Sequence, residues 1–395
     1  MIIRENYLSK IRPFIGKDII KVLSGIRRCG KSVLLEQICN EINSPHTIFL
    51  NFEDLGNQHL CEYHALHSYI CEKIGDSREQ FYLFFDEIQE VHGWEKAVNS
   101  LRVKFHADIY ITGSNSRLLS GELATYIAGR YISFVVYPFS YAEFQMADAA
   151  CTFDDYIQYG GMPFLSSINF EPEISKNYLQ DIFNSVVLKD IIKRNNIRDV
   201  DLLERIIAYA LANIGRSFSA TSISRFFKSE NRTAAPETIL NYLKACEDAY
   251  LLYRLKSQDI HGKKLLKVNE KYYTADHGLR EAVIGENLQN IEIILENIVA
   301  LELLRKGYRV YIGRVGTKEI DFIGERQGHK LYVQVCYLLT DETTIKREFG
   351  SLLEIRNNYP KIVLYKEGTF RGNYEGILAV KIEDWLTGKN ISQNM

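Results

Sequence analysis

The residues best placed to do chemistry begin at Gly25. After four intervening residues come Gly30, Lys31 and Ser32, which satisfies the pattern G-x-x-x-x-G-K-[ST] without a mismatch. Glycines at these positions let a backbone wrap a phosphate, amide hydrogens and a helix N-terminus supply positive partial charge, and the lysine supplies a full one. A loop of Gly25, Ile26, Arg27, Arg28, Cys29, Gly30, Lys31, Ser32 and Val33 is therefore expected to hold ATP. Lys31 would reach the β- and γ-phosphates, and the Ser32 hydroxyl would ligate Mg2+. The bland alternative is a glycine turn with an exposed lysine. Context favours the loop, because IIKVLS before Gly25 reads as a buried strand and VLLEQICNEI after Ser32 has helical spacing. Cys29 lies inside the loop, where alkylation could block nucleotide binding; as a ligand it has no evident role.

A second chemical signal is the run FYLFFDEIQEV. Five apolar or aromatic residues ending in Asp86 and Glu87 describe a buried parallel strand that delivers two carboxylates at its C-terminal end, where open α/β sheets bind ligands. Asp86 would hold Mg2+ through water, and Glu87 would orient and deprotonate an attacking water. The next strand, ADIYITG, ends at Ser114 and Asn115. A polar residue there can contact the γ-phosphate or the water, and Asn115 is the candidate, with Ser114 its rival and a turn-forming asparagine the bland reading. Arg130, after a predicted helix SRLLSGELATYIAGR, is a candidate arginine finger acting in cis or on a neighbouring subunit, although most arginines are surface residues.

These residues need a scaffold, and strands alternate with helices from residue 18 to 138, which predicts a doubly wound parallel sheet. At 395 residues the chain is long enough for two or three domains. A net charge of −2 announces no nucleic-acid or acidic-membrane partner, so any such binding must be local. No apolar run approaches a membrane span and MIIRENYLSK lacks a signal-peptide core, so a cytoplasmic protein is expected. Seven scattered cysteines without a C-x-x-C pair argue for reduced thiols over a zinc site or disulfide framework.

Taken together, GIRRCGKSVLLEQI, FYLFFDEIQEVHGWE, ITGSNSRLLSGELATYIAGRY and YPFSYAEF resemble the prokaryotic AAA-type ATPases that carry a C-terminal domain of unknown function. YIQYGGMPF, TILNYLKACEDAYLL and LENIVALELLRKGYRVYIGRVGTKEIDF are similar to that C-terminal domain, so the likeness covers nearly the full length. The resemblance implies an ATP-hydrolysing core joined to a DNA-binding-like and a nuclease-like module. The expected divisions are an ATPase core over 1–140, a helical linker or lid over 141–200, a winged helix-turn-helix-like domain over 201–280, and a restriction-endonuclease-like α/β domain over 281–395.

Within that plan, Gly160, Gly161 and Pro163 mark a turn, either a hinge or a plain loop. Residues 201–275 show three helices, then two strands around His261–Gly262, the order of a winged helix. The helix that would read DNA carries Glu237, Glu247 and Asp248 against Lys244, poor chemistry for a phosphate-lined groove. Basic residues lie at Arg225, Lys228 and Arg232 and on the wing at Lys263, Lys264, Lys267 and Lys271, so DNA contact through the wing and an unidentified protein partner stay open together. Farther on, a helix with Glu296, a strand with Asp321 and the strand QVC resemble the restriction-endonuclease-like core. An active member needs a second acidic residue and a lysine on that last strand; this chain has Gln334 and Cys336, so an inactive nuclease fold is expected, with Lys346 a remote substitute for the lysine.

The leading functional expectation is a Mg2+-dependent ATPase that couples hydrolysis to rearrangement of its C-terminal modules, possible as a homo-oligomer if an arginine finger acts in trans. A slow-turnover ATP switch and an ATP-controlled DNA nuclease are the alternatives.

Overall fold

The computed structural model describes residues 2–116, 129–260, 270–285, 291–340, 342–368, 370 and 372–389. The chain forms two compact units, Met1–Tyr137 with Asp248–Tyr250, and Pro138–Glu247 with Leu251–Met395.

The first unit is built on a five-stranded sheet of β1 (Ile20–Ser24), β2 (Thr47–Asn51), β3 (Phe81–Asp86), β4 (Ala107–Gly113) and β5 (Tyr131–Val135). The order is β2-β3-β4-β1-β5 and every pairing is parallel. All residues of β1 and β4 are buried, the signature of central parallel strands covered on both faces. Alternation along the strands splits their side chains between the two faces. Leu83, Phe85, Ile109 and Ile111 pack with Leu66 and Ile70 of α3 (Tyr63–Ile74) and Val98 and Leu101 of α4 (Trp94–Lys104). Phe84 is sent to the opposite face, where its ring stacks on Tyr110 with centroids 4.7 Å apart. The helix α1 (Glu5–Ile11) precedes the sheet, and α2 (Lys31–Ile42) follows β1 directly.

Parallel register decides what meets at the C-terminal edge. Phe85 is level with Ile111 and Ser24 with Gly113, so the ends of β3, β4 and β1 lie side by side. The expected helix over SRLLSGELATYIA falls mostly on residues 117–128, outside the described residues.

The second unit starts with α5 (Tyr141–Ala147), α6 (Phe153–Tyr159) and α7 (Pro172–Ser185), which runs on into a π-helical stretch over Val186–Lys193. The Gly160–Gly161 turn is a packed corner. A Cβ on Gly160 would stand 2.2 Å from Asp276 Oδ1, one on Gly161 would stand 2.3 Å from the Phe139 carbonyl, and the Gly161 amide donates to Asp276 at 2.7 Å. Glycine is required here for close approach.

Helices α8 (Val200–Ala212), α9 (Ala220–Ser229) and α10 (Pro236–Asp248) follow, then β6 (Leu252–Leu255), β7 (Ser257–Asp259) and β8 (Lys271–Thr274). Two strands were expected here, and three form among the described residues. β6 and β8 pair antiparallel as a separate ribbon, whereas the chain breaks at Lys256 and β7 joins the edge of a larger sheet.

After α11 (His277–Ile284) and α12 (Ile291–Arg305), that sheet is completed by β9 (Arg309–Val315), β10 (Lys318–Arg326), β11 (His329–Leu339), β12 (Lys361–Gly368), β13 (Gly372–Tyr374) and β14 (Ile377–Lys381), in the order β13-β14-β12-β11-β10-β9-β7. β9, β10 and β11 form an antiparallel meander, while β11, β12 and β14 are parallel. The core under α13 (Glu342–Leu353) includes Phe349, Leu352, Tyr332 and Val363, and α14 (Ile382–Thr387) ends the unit. No helix among the described residues is long and apolar enough to cross a membrane.

Candidate nucleotide site

The loop between β1 and α2 is shaped by backbone that ordinary residues avoid. Gly25 has φ +153°, and a Cβ there would lie 2.1 Å from the Val136 carbonyl oxygen. Gly30, with φ 94°, caps α2, so the free amides of the first helical turn open toward the loop. Arg28 also has positive φ, at 64°. From behind, the fully buried Arg4 holds the loop, its guanidinium donating to the Cys29 carbonyl at 3.0 Å and the Tyr137 carbonyl at 2.9 Å. Cys29 itself is buried, donates its thiol to the Val136 carbonyl at 3.2 Å, and is pushed by burial above the ordinary thiol range. The expectation that alkylation of Cys29 could reach the loop is thereby corrected, since a buried protonated thiol is inert.

Lys31, Asp86 and Glu87 converge. The Lys31 ammonium donates to the Gly25 and Ile26 carbonyls at 3.2 and 3.1 Å and stands 3.7 Å from Glu87 Oε1. Burial raises the Asp86 pKa above the ordinary carboxylate value, against the lowering influence of the nearby Thr112 and Ser32 hydroxyls. Glu87 sits in the left-handed region at φ 52°, ψ 48°, a strained backbone for a glutamate, and its carboxylate accepts from the Gln89 amide.

Thr112 was not anticipated. Its hydroxyl donates to Asp86 Oδ1 at 2.5 Å and accepts from the Glu87 amide at 2.8 Å, so one side chain on β4 fixes both carboxylate-bearing residues of β3. A polar residue at the end of an otherwise apolar strand was the available signal. Arg4 had none, because nothing in an amphipathic first helix says that a preceding arginine is buried.

Asn115 and Ser114 are both buried just beyond β4, and the strand order sets that strand between β1 and β3. Asn115 thus follows the strand flanked by the loop and the carboxylates. Arg130 does not join them. It is exposed, donates to Asn99 Oδ1 at 2.8 Å, and precedes the end of β5 at which Tyr131 pairs with Ile20. The phosphate loop follows Ser24, level with Val135, five residues along β5 and about 16 Å away. The cis arginine finger is therefore a correction: Arg130 stands at the wrong end of the sheet for this chain's own loop.

The residues singled out in the C-terminal half form a second cluster. Lys271 is buried on β8, its ammonium 2.7 Å from Glu319 and 3.6 Å from Glu296, which also accepts from the Tyr273 hydroxyl at 3.0 Å. Burial and the Glu296 charge push Asp321 well above the ordinary carboxylate range, and Asp321 accepts from the Val335 amide at 2.8 Å. Gln334 turns its amide oxygen toward the Asp321 backbone amide, 3.4 Å away, and Cys336 is buried. Lys346 is exposed and pairs with Glu342 on its own helix, which removes it as the substitute lysine. Lys271 is also removed from the basic wing surface. Lys263, Lys264 and Lys267 lie outside the described residues. No group of three histidine, cysteine or acidic side chains arranged to hold a metal ion occurs among the described residues.

A parallel sheet with a glycine-lysine-serine loop after one strand and a carboxylate pair after another defines a P-loop nucleotide-binding ATPase fold. A family profile described as an AAA domain matches residues 17–145, and one described as a domain of unknown function (DUF8612) matches residues 151–290. An "Uncharacterized protein" of Haemophilus influenzae is 40% identical over 98% of this chain and 98% of its own length. "Uncharacterized protein MJ1544" of Methanocaldococcus jannaschii is 32% identical over 95% of this chain and 89% of its own. The Walker-type ATPase PABY2304 of Pyrococcus abyssi shares the fold, with a TM-score of 0.51 at 14% identity, covering 72% of this chain and 96% of that one. The chain belongs to the prokaryotic AAA-type P-loop ATPases that carry a C-terminal domain of unknown function.

Proposed function

We propose that the protein is a Mg2+-dependent ATPase, on the strength of one arrangement: Ser32 beside Asp86, with Lys31 beside Glu87, at the C-terminal edge of a parallel sheet. A hydroxyl and a carboxylate are hard oxygen donors suited to Mg2+, and Ser32 and Asp86 would hold it. Bound there, Mg2+ would offset the negative charge that the phosphates carry and develop in the reaction. Loop amides and Lys31 bind the phosphates, moving the ammonium off the Gly25 and Ile26 carbonyls. Glu87 takes a proton from water as the water oxygen bonds to the γ-phosphorus and the bond to ADP breaks, with Asn115 orienting the water.

A regulatory switch that holds ATP without significant hydrolysis is the second reading. Its motivation is that the Glu87 carboxylate is already held by Gln89 and faces Lys31, engaged where a free base would be needed. Glu87→Gln separates the two. A hydrolysing enzyme loses turnover by about a hundredfold or more while retaining ATP; a binder that does not use Glu87 as a base is unaffected.

The C-terminal half is read as a winged-helix module, α8 to α10 with the β6–β8 ribbon, followed by a restriction-endonuclease-like sheet without cleavage chemistry. The helix α10 is poor at base readout because Glu247 is engaged by Arg254 and Lys244. A protein partner, or DNA phosphates contacted through Lys263, Lys264 and Lys267, would then receive the nucleotide-dependent rearrangement. Arg130 enters only in trans, in a homo-oligomer. The reading places the protein in the cytoplasm, where ATP and reduced thiols occur together.

A further inference from the structure

The first unit is a continuous stretch up to Tyr137, with one exception: Asp248, Ala249 and Tyr250 pack with it. The Tyr250 hydroxyl donates to Ser24 Oγ at 2.8 Å. Both residues are buried, and Ser24 is the last residue of β1, next to Gly25 of the phosphate loop. This end of β1 has no slack, since the Ser24 carbonyl accepts from the Val136 amide at 2.6 Å and Gly25 lies hard against the Val136 carbonyl. Tyr250 reaches Ser24 from a left-handed backbone at φ 57°, a conformation bulky side chains rarely adopt. Two residues earlier, the buried Asp248 carboxylate accepts from the Ser116 hydroxyl at 3.1 Å, one position past Asn115. A single tripeptide therefore touches the stem of the phosphate loop and the tip of the strand that carries Asn115.

We propose that Asp248 and Tyr250 are positioning residues for ATP hydrolysis, Tyr250 fixing the loop stem through Ser24 and Asp248 fixing the Asn115 tip through Ser116. The inference rests on the ATPase reading above. Neither side chain need touch nucleotide. Each sets the position of a backbone segment that does, so its loss should slow the chemical step more than it weakens binding.

Tyr250→Phe removes only the hydroxyl and keeps the buried ring. Single-turnover hydrolysis and equilibrium binding of Mg2+-ATP would be measured for wild type, Tyr250→Phe, Ser24→Ala and the double variant, with thermal midpoints as the control for packing. The expected result is a rate loss of about tenfold in each single variant, no further loss in the double, and affinity within about twofold. Asp248→Asn, beside Ser116→Ala, should show the same pattern at the other end. Wild-type turnover in both Tyr250→Phe and Asp248→Asn overturns the inference and leaves the ATPase reading intact, as does loss that tracks a fallen thermal midpoint. Should wild type bind ATP without hydrolysing it, the ATPase reading fails and the inference fails with it, an outcome distinct from wild-type turnover in the variants. A wild type that binds no nucleotide overturns both.

Discussion

Lys31 in the first unit and Lys271 in the second are both buried beside carboxylates, and they are placed differently. Lys271 is committed to carboxylates, with Glu319 at 2.7 Å and Glu296 at 3.6 Å. Lys31 leans on two backbone carbonyls, and its nearest carboxylate, Glu87, is at 3.7 Å. An ammonium bonded to carbonyls can exchange them for phosphate oxygens without stranding a buried anion, whereas removing Lys271 would leave the partly buried Glu296 without its cation. Burial of charge therefore does not distinguish a site from a structural cluster. What distinguishes them is whether the partners can be given up.

The largest expected effect that would break this contrast is on Lys271. Lys271→Met should destabilise the second unit by about 3 kcal/mol, lowering its thermal midpoint by roughly 10 °C, because a buried ion pair is broken with its anion left behind. Phosphate release, measured where the variant remains folded, should stay within about twofold of wild type; a large loss of turnover would show that the cluster is not merely structural. A smaller effect is expected at the site itself. Thr112→Val removes the hydroxyl shared by Asp86 and the Glu87 amide and should reduce turnover by about tenfold with little change in ATP affinity. An unchanged rate would mean that the register of β3 and β4 positions the carboxylates unaided.

The smallest effect is a pH dependence. Asp321 is raised by burial in the folded chain, so the folded state keeps a proton that the unfolded chain releases above about pH 4. Its contribution to stability is present below that value and is lost as pH rises toward the folded pKa. Asp321→Asn should therefore flatten the decline of the thermal midpoint as pH rises above about 4, and an identical slope in variant and wild type would contradict the assignment.

Much of the nucleotide site was legible because its parts are local in sequence. A strand, a glycine loop and a helix start follow one another from Ile20 to Ile42, and FYLFFDE announces both a buried strand and its carboxylates. What stayed hidden depends on distant chain. Arg4 and Thr112 meet the loop and the carboxylates only through strand order, and Tyr250 comes from far along the chain. The cis role of Arg130 was misjudged for a related reason, since sequence shows that it follows the Asn115 strand but not which end of the sheet it lies at. In the C-terminal half, the antiparallel meander β9 to β11 was readable from its glycine turns, yet the split at Lys256 was not. The run LLYRLKSQDI has uniform strand character, and tertiary pairing alone decides that its second half joins another sheet.

The most direct measurement is steady-state phosphate release from Mg2+-ATP by the full chain, beside Lys31→Ala, with thermal midpoints for both. The placement of Lys31 predicts turnover that falls by at least about a hundredfold in the variant while the folded state is kept. Turnover that survives Lys31→Ala, or a loss that merely follows unfolding, would contradict the assignment of this site.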